Sequence, residues 1–112
     1  MDCIFCKIIN GEIPSSKVFE NKYVLAFNDI MPQANFHAVV IPKIHIESAN
    51  EITENNSFYI AKIFEAVKQI ADEKHLENGY RVITNCGKHA CQSVKHIHFH
   101  ILAGEQLASK MG

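Results

Sequence analysis

Three histidines alternate with apolar residues near the end of the chain, in the stretch HIHFHIL from His96 to Leu102. Side chains at every second position of a β-strand point to the same face of the sheet, about 6–7 Å apart along the strand. A strand over KHIHFHIL would place three imidazoles on one face and bury the apolar side chains between them on the other. The pattern therefore predicts a sheet with one apolar face and a row of histidines opposite it.

Three interpretations of this row are open. It can be the polar face of a half-exposed strand, although threonine, lysine or glutamate would serve a wet surface as well. It can bind a metal ion through its ring nitrogens. It can also perform nucleophilic and acid–base chemistry near neutral pH, with one imidazole attacking phosphorus while its neighbours hold the phosphate oxygens. The residues favour the two functional interpretations over the first.

Length and charge narrow the classes of protein. The 112 residues suit one domain, 1–112, and 11 basic against 12 acidic residues give a formal net charge of −1. This balance predicts no nucleic-acid partner. No apolar run approaches the roughly 18 residues of a membrane span, and the N-terminus MDCIFCKIINGEIP does not resemble a secretory signal. We therefore expect a cytoplasmic protein with no membrane partner.

The rest of the sequence predicts an α+β fold. Short strands are expected in KVFEN, KYVLAFN, FHAVVIP, YRVITN and KHIHFHIL, with a hairpin turn at Asn21–Lys22. CIFCKIING predicts a short N-terminal helix, and apolar residues three and four apart predict a long helix over residues 54–76. Short connections favour an antiparallel sheet of about five strands, with one long and one short helix packed on one face.

Two cysteines, Cys3 and Cys6, form a Cys-x-x-Cys pair. Such a pair is by itself weak evidence, since it can be a redox pair, half of a metal site or chance.

The segment from His96 to Leu102 resembles the signature of the histidine triad (HIT) family, in which three histidines alternate with apolar residues. The resemblance extends to CIFCKIINGEIPSSKVFENKYVLAFNDIMPQANFHAVVIPKIH, to GYRVITN and to QSVKHIHFHIL, and so to most of the chain. It implies a HIT-like fold, usually a homodimer built from the long helix and a sheet edge. It also implies an enzyme that transfers or hydrolyses purine nucleoside monophosphates bearing a substituted α-phosphate.

The resemblance assigns roles to the catalytic residues. His98 would attack the α-phosphorus and form a nucleotidyl-histidine intermediate that water cleaves, His100 would contact the phosphate oxygens, and His96 would orient His98. Gln92 and Ser93 match positions that reach the phosphate and the leaving group. Ser93 favours the nucleoside phosphoramidase branch over the branch that prefers dinucleoside polyphosphates.

The resemblance also implies a nucleotide site. Asp29 would accept hydrogen bonds from the ribose hydroxyls, since a carboxylate offers two acceptor oxygens and no donor, and Asn85 would lie beside the phosphate. Without the family, both residues would be interpreted as turn residues. The expected apolar walls around the base are Phe5, Ile8, Ile13, Phe27 and Ile30, which would otherwise be interpreted as core residues.

A structural zinc is implied for the part of the family that carries the cysteine pair. Its four ligands would be Cys3, Cys6, His45 and His96, and no open position would remain on the metal for catalysis. His37 is expected to be structural and His75 to lie on the surface.

One departure from the family pattern keeps a second function open. Ala90 and Cys91 stand where relatives have two glycines, which let backbone N–H groups approach a phosphate. The alternative to an enzyme is therefore a nucleotide- or zinc-binding regulatory module with little catalysis. A third interpretation, a purely metal-binding protein, fits poorly with Asp29 and Asn85.

Overall fold

In the computed structural model, which describes residues 3–112, the chain forms one five-stranded antiparallel sheet. Its strands are β1 (Lys17–Glu20), β2 (Val24–Asn28), β3 (Phe36–Pro42), β4 (Tyr80–Thr84) and β5 (Phe99–Ala103). Their spatial order is β1-β2-β3-β5-β4, which makes β3 the central strand. The helices are α1 (Ile4–Ile9) and α2 (Ser57–Glu73). The α+β class and the five antiparallel strands predicted from the sequence are confirmed. Within residues 3–112, no helix is long and apolar enough to cross a membrane.

The hairpin between β1 and β2 turns where the sequence predicts it. The side-chain oxygen of Asn21 accepts hydrogen bonds from the backbone N–H groups of Tyr23 and Val24, each at 2.9 Å. Asparagine favours such turns because its short side chain can replace a backbone acceptor.

The two helices cover opposite faces of the sheet, so the expectation that both pack on one face is wrong. Residues that face α2 include Val24, Ala26 and Val40, whereas residues that face α1 include Leu25, Phe27, Val39 and Ile41. The physical reason is that β2 and β3 are apolar at nearly every position, and a strand of that kind needs cover on both faces.

Helix α2 is shorter than the predicted range 54–76. At its start, the side chain of Asn56 bonds the backbone of the preceding turn, accepting from Thr53 N–H at 2.8 Å. At its end, His75 adopts a left-handed conformation with φ of 57°. A left-handed residue stops the helical hydrogen-bond pattern, which the apolar spacing alone does not reveal.

Strand β5 begins at Phe99 rather than at Lys95, because Pro42 ends the ladder with β3. Val40 pairs with Phe99, so continuation of the register would set Ile97 against Pro42, which has no N–H to donate. The backbone N–H of Ile97 donates instead to the carbonyl of Ile46, at 2.6 Å. The alternation still persists upstream, since Ile97 is buried beside Phe99 in the core on the α2 side.

Candidate active site

The three histidines lie at different depths on the α1 side of the sheet. His98 and His100 line an open cleft, whereas His96 is fully buried behind it. The rings of His98 and His100 are 5.2 Å apart between centroids, and the ring of Phe5 meets His98 edge-on at 5.2 Å. The sequence therefore brings two imidazoles to the cleft and places the third in the interior.

The protonation of His98 follows from its hydrogen bond. Its Nδ1 lies 2.8 Å from the backbone carbonyl of His96. A carbonyl oxygen only accepts, so the neutral ring carries its proton on Nδ1 and leaves a lone pair on Nε2. The hydroxyl of Thr84 donates to the backbone carbonyl of His98 at 2.8 Å and holds the main chain in place. This hydrogen bond thereby fixes the tautomer of the neutral His98 ring and the direction in which Nε2 points.

His100 is oriented by His37, which was expected from the sequence to be a structural residue. The backbone N–H of Gln33 donates to Nδ1 of His37 at 3.0 Å, so the proton of a neutral His37 is on Nε2. This Nε2 lies 2.9 Å from Nδ1 of His100 and 3.4 Å from a carboxylate oxygen of Asp29. Donation from His37 leaves His100 with its own proton on Nε2. The sequence contained one indication that His37 could orient His100. Alternation along FHAVVIP places His37 on the same face of the strand as Val39.

Burial keeps both of these histidines neutral near pH 7. It lowers the pKa of His37, against the opposing effect of Asp29. It also lowers the pKa of His100, with further lowering by His98 and His37 and an opposing effect of Asp29. The neutral state is the one in which the order of donors and acceptors from Gln33 to His100 holds.

The cleft beside these histidines has a volume of about 340 Å³. Of the residues predicted from the sequence, its lining includes Phe5, Ile8, Phe27, Asp29, Ile30, Ser93, His98 and His100. The structure adds Ile4, Pro14, Ser15, Ser16, Asn28, Val39 and Val94. Ile13 lies outside this lining and packs against the core on the α1 side. The cleft combines an apolar wall, one carboxylate and two imidazoles.

Asn85 and Gln92 brace the loop that precedes the histidines. Nδ2 of Asn85 donates to the carbonyl of Ala90 at 2.9 Å. Oε1 of Gln92 accepts from the N–H of Gly87 at 3.0 Å, and its Nε2 donates to two backbone carbonyls at 2.7 and 2.9 Å. Both side chains thus form hydrogen bonds with main-chain groups of the loop, and Gln92 also with those of Glu47 and Val94. Neither side chain lines the cleft.

The same loop contains a strained position. Cys91 has φ of 61° and ψ of 40°, in the left-handed region that glycine adopts without cost. Ala90 ends the short 3₁₀ turn Lys88–Ala90. Of the two residues that replace glycines of the family, only Cys91 therefore has a backbone conformation that glycine would favour.

A second cluster lies next to the cleft. It consists of Cys3, Cys6, His45 and His96, whose ligand atoms all lie within 4.8 Å of one another. Nδ1 of His96 is 3.3 Å from Sγ of Cys3 and 3.2 Å from Nδ1 of His45. Sγ of Cys6 is 3.5 Å from Nδ1 of His45 and 3.6 Å from that of His96. Bonds of about 2.0–2.3 Å around a tetrahedral Zn²⁺ separate its ligands by roughly 3.3–3.8 Å, so the cluster has the size that such an ion requires.

The protonation of the cluster also suits a cation. Nε2 of His96 lies 3.0 Å from the carbonyl of Pro42, so it carries the proton and Nδ1 points its lone pair at the cluster. Burial lowers the pKa of His96 to about 4, with smaller effects of its neighbours. Burial and the adjacent Cys3 raise the pKa of the Cys6 thiol to about 11. Both shifts follow from burial of these two groups beside one another's donor atoms, an arrangement that a bound cation would stabilise.

Known proteins of similar sequence match almost the whole chain. A family model described as "Scavenger mRNA decapping enzyme C-term binding" matches residues 2–112. The chain is 48% identical over 104 residues to an uncharacterised HIT-like protein of Helicobacter pylori, with 92% of this chain and 97% of the relative covered. It is 43% identical over 106 residues to a 14 kDa zinc-binding protein of Zea mays, with 93% and 83% covered.

Solved structures of similar proteins superpose closely on this chain. A histidine triad protein from Clostridium difficile superposes with a TM-score of 0.95 at 50% identity, covering 98% of this chain and 96% of that one. A HIT family hydrolase from Clostridium thermocellum also reaches 0.95, at 42% identity and the same coverage. A histidine triad nucleotide-binding protein from Candida albicans reaches 0.81 at 35% identity, with 97% and 85% covered. The similarity extends over nearly the whole chain.

Proposed function

The chain belongs to the histidine triad family, and on that premise we propose that it acts on the α-phosphate of purine nucleoside 5′-monophosphate derivatives, as a nucleotide hydrolase or nucleotidyl transferase. Phosphoramidates are the proposed substrates, with dinucleoside polyphosphates and adenylates as further members of the class. The names of two neighbours, a HIT family hydrolase and a histidine triad nucleotide-binding protein, support the proposal.

The observation that carries the proposal is the hydrogen bond from Nδ1 of His98 to the carbonyl of His96, at 2.8 Å. It leaves Nε2 of His98 free to attack the α-phosphorus, forming an N–P bond while the bond from phosphorus to the leaving group breaks. The leaving group takes up a proton from solvent, for which the hydroxyl of Ser93 at the cleft is the proposed contact, and the water of the second step returns one proton to solvent. Water then cleaves the N–P bond, releasing the nucleoside monophosphate and restoring neutral His98.

His100 would stabilise the charge that develops on the phosphate. Because its Nδ1 faces His37 at 2.9 Å, its proton is on Nε2, where it can donate to a phosphate oxygen. Asn85 and Gln92 would act on the phosphate through the loop whose shape they fix.

Asp29 and the apolar wall would bind the nucleoside. One oxygen of Asp29 is held by the N–H of Met31 at 2.8 Å, and the other lies near His37. The carboxylate can accept hydrogen bonds from both ribose hydroxyls. The residues proposed to contact the base are Phe5, Ile8, Phe27 and Ile30, of which Ile30 is 95% exposed and so available to a ligand.

Cys3, Cys6, His45 and His96 are the proposed ligands of a structural zinc, which their separations and the name of the Zea mays relative support. When bound, the ion would supply a rigid tetrahedral cross-link between α1 and the segment that carries His96. The chemistry at His98 does not pass through it.

We also propose a homodimer and a cytoplasmic location. Phe58 and Phe64 of α2 are about half exposed, at 49% and 50%, which leaves apolar surface on the long helix for a second copy of the chain. The cysteines Cys3, Cys6, Cys86 and Cys91 are all free thiols, as is usual in a reducing compartment.

The test is release of AMP from adenosine 5′-phosphoramidate by the native protein and by His98→Asn. The native protein should turn over, and the variant should lose at least about a thousandfold in kcat/KM. His75→Asn is the matched control, because His75 is exposed and does not line the cleft. Binding of AMP without turnover by the native protein would favour the alternative, a nucleotide- or zinc-binding module with little catalysis. The observation that favours this alternative is the left-handed backbone of Cys91, in the loop that precedes the histidines.

A further inference from the structure

One aromatic ring, that of Phe5, contacts both the metal cluster and the cleft. Its centroid lies 5.9 Å from that of His96 and 5.2 Å from that of His98, with both pairs close to edge-on. In the sequence, Phe5 stands between the cysteines of the cluster, two residues after Cys3 and one before Cys6. A group that moves the cysteines must therefore move a ring that touches His98.

Helix α1, which carries Phe5, is too short to be stable without its tertiary contacts. It is six residues long, far below the length at which a helix is stable alone. Its buried side chains are Phe5 and Ile8, and both also line the cleft. A metal ion bound to the cysteines at its start would cross-link it to His45 and His96. The position of one wall of the cleft would then depend on whether the cluster is filled.

A second contact runs through the main chain of His96. Its ring is held at one end by the carbonyl of Pro42 and faces the cluster at the other. Its backbone carbonyl accepts the hydrogen bond from Nδ1 of His98. A metal ion that fixes the His96 ring would therefore also restrict the acceptor that sets the orientation of His98.

From these contacts we propose that Phe5 is a positioning residue that couples the metal cluster to His98 and the nucleotide cleft, so that metal binding and nucleotide binding strengthen each other. The inference rests on the proposed function of the cleft. Coupling of this kind is reciprocal by thermodynamic necessity: the factor by which zinc tightens AMP is the factor by which AMP tightens zinc.

The first experiment measures the affinity for AMP by calorimetry in zinc-loaded and chelated protein. We expect chelation to weaken AMP binding about tenfold, and AMP to raise zinc affinity by the same factor in competition with a chromophoric chelator. In Phe5→Leu, which keeps an apolar side chain but loses the ring, the ratio should fall towards one. Ile30→Ala is the control: Ile30 also lines the cleft but belongs neither to the metal cluster nor to the core cluster that contains Phe5, so AMP should bind less tightly with the ratio preserved.

A second measurement follows the metal site directly, in protein loaded with Co²⁺ in place of zinc. Co²⁺ in a Cys₂His₂ site gives visible absorption bands that depend on ligand geometry. AMP should shift these bands in the native protein, and saturating AMP should leave them unchanged in Phe5→Leu. Unshifted native bands would overturn the coupling, and a tenfold ratio retained by Phe5→Leu would overturn the role of Phe5, in both cases with AMP binding itself unaffected. Failure of the native protein to bind AMP in either metal state would overturn the proposed function, and the coupling with it.

Discussion

Nε2 of His37 lies 2.9 Å from Nδ1 of His100, and the side chain of His37 is almost completely buried. The backbone N–H of Gln33 fixes the other nitrogen of His37 as an acceptor. Two histidines on neighbouring antiparallel strands, β3 and β5, thus form a line of hydrogen bonds that begins at a main-chain amide and ends at the Nε2–H of His100. Through His37, the main-chain amide of Gln33 thus sets which nitrogen His100 offers to a ligand.

His37→Phe should lower kcat/KM for adenosine 5′-phosphoramidate by about tenfold to a hundredfold. This is the usual effect of losing one hydrogen bond to a charged group, here the bond from His100 to the phosphate. Without its donor, His100 can adopt the other tautomer and present an acceptor to the phosphate. His37→Gln retains a side-chain N–H and should recover part of the loss. Equal activity of native protein and His37→Phe, measured with matched zinc content, would show that His100 does not depend on His37.

The sequence predicts the face of each histidine but not its partners. Alternation in HIHFHIL sets Ile97, Phe99 and Ile101 in the core on the α2 side, as the structure confirms. The pairing of His37 with His100 depends on the register between β3 and β5, which is fixed by the whole sheet. Gln92 matches a family position that reaches the phosphate, yet its amide bonds backbone groups that come together only in the folded loop. Periodicity carries no information on contacts of this kind.

Removing one ligand of the metal cluster should destabilise the protein. In zinc-containing buffer, Cys6→Ser should retain less zinc per chain and melt about 10 °C lower, since a ligand present at a hundred times its dissociation constant contributes about 3 kcal/mol to stability. Elemental analysis and thermal unfolding followed by circular dichroism measure both effects. Cys91→Ser is the matched control, because Cys91 is exposed and lies outside the cluster. Identical zinc content and melting temperature in native protein and Cys6→Ser would contradict the assignment.

Glycine substitutions at two adjacent positions should have opposite effects. Cys91 is left-handed, so Cys91→Gly relieves a strain of about 1–2 kcal/mol, which exceeds the entropic cost of glycine of roughly 0.5–1 kcal/mol. Ala90 belongs to a 3₁₀ turn, so Ala90→Gly carries the cost without the relief. Chemical denaturation should therefore find Cys91→Gly more stable than the native protein and Ala90→Gly less stable. Destabilisation by both would show that Cys91 is not strained in solution.

Glu20 should stabilise the fold only above acidic pH. Its carboxylate bonds Nζ of Lys17 at 2.8 Å and Nζ of Lys43 at 2.7 Å. These two hydrogen bonds, that of Lys17 first, lower the pKa of Glu20 from 4.5 to about 2. The folded state therefore binds this proton less readily than the unfolded chain does. The stabilisation is complete above pH 4.5 and is lost as the pH falls towards 2.

Because the carboxylate is partly exposed, solvent screens much of this effect, and Glu20→Gln should lower the melting temperature at pH 7 by only about 3 °C. The difference from the native protein should shrink steadily below pH 4.5, where the Glu20 carboxylate of the unfolded chain takes up a proton that the folded carboxylate, with its pKa of about 2, does not yet bind. Glu54→Gln is the control, since Glu54 is exposed and makes no ion pair with residues 3–112. If the melting temperatures of the native protein and Glu20→Gln differ by the same amount from pH 7 into the acid range, Glu20 acts through packing or strand propensity rather than through its charge.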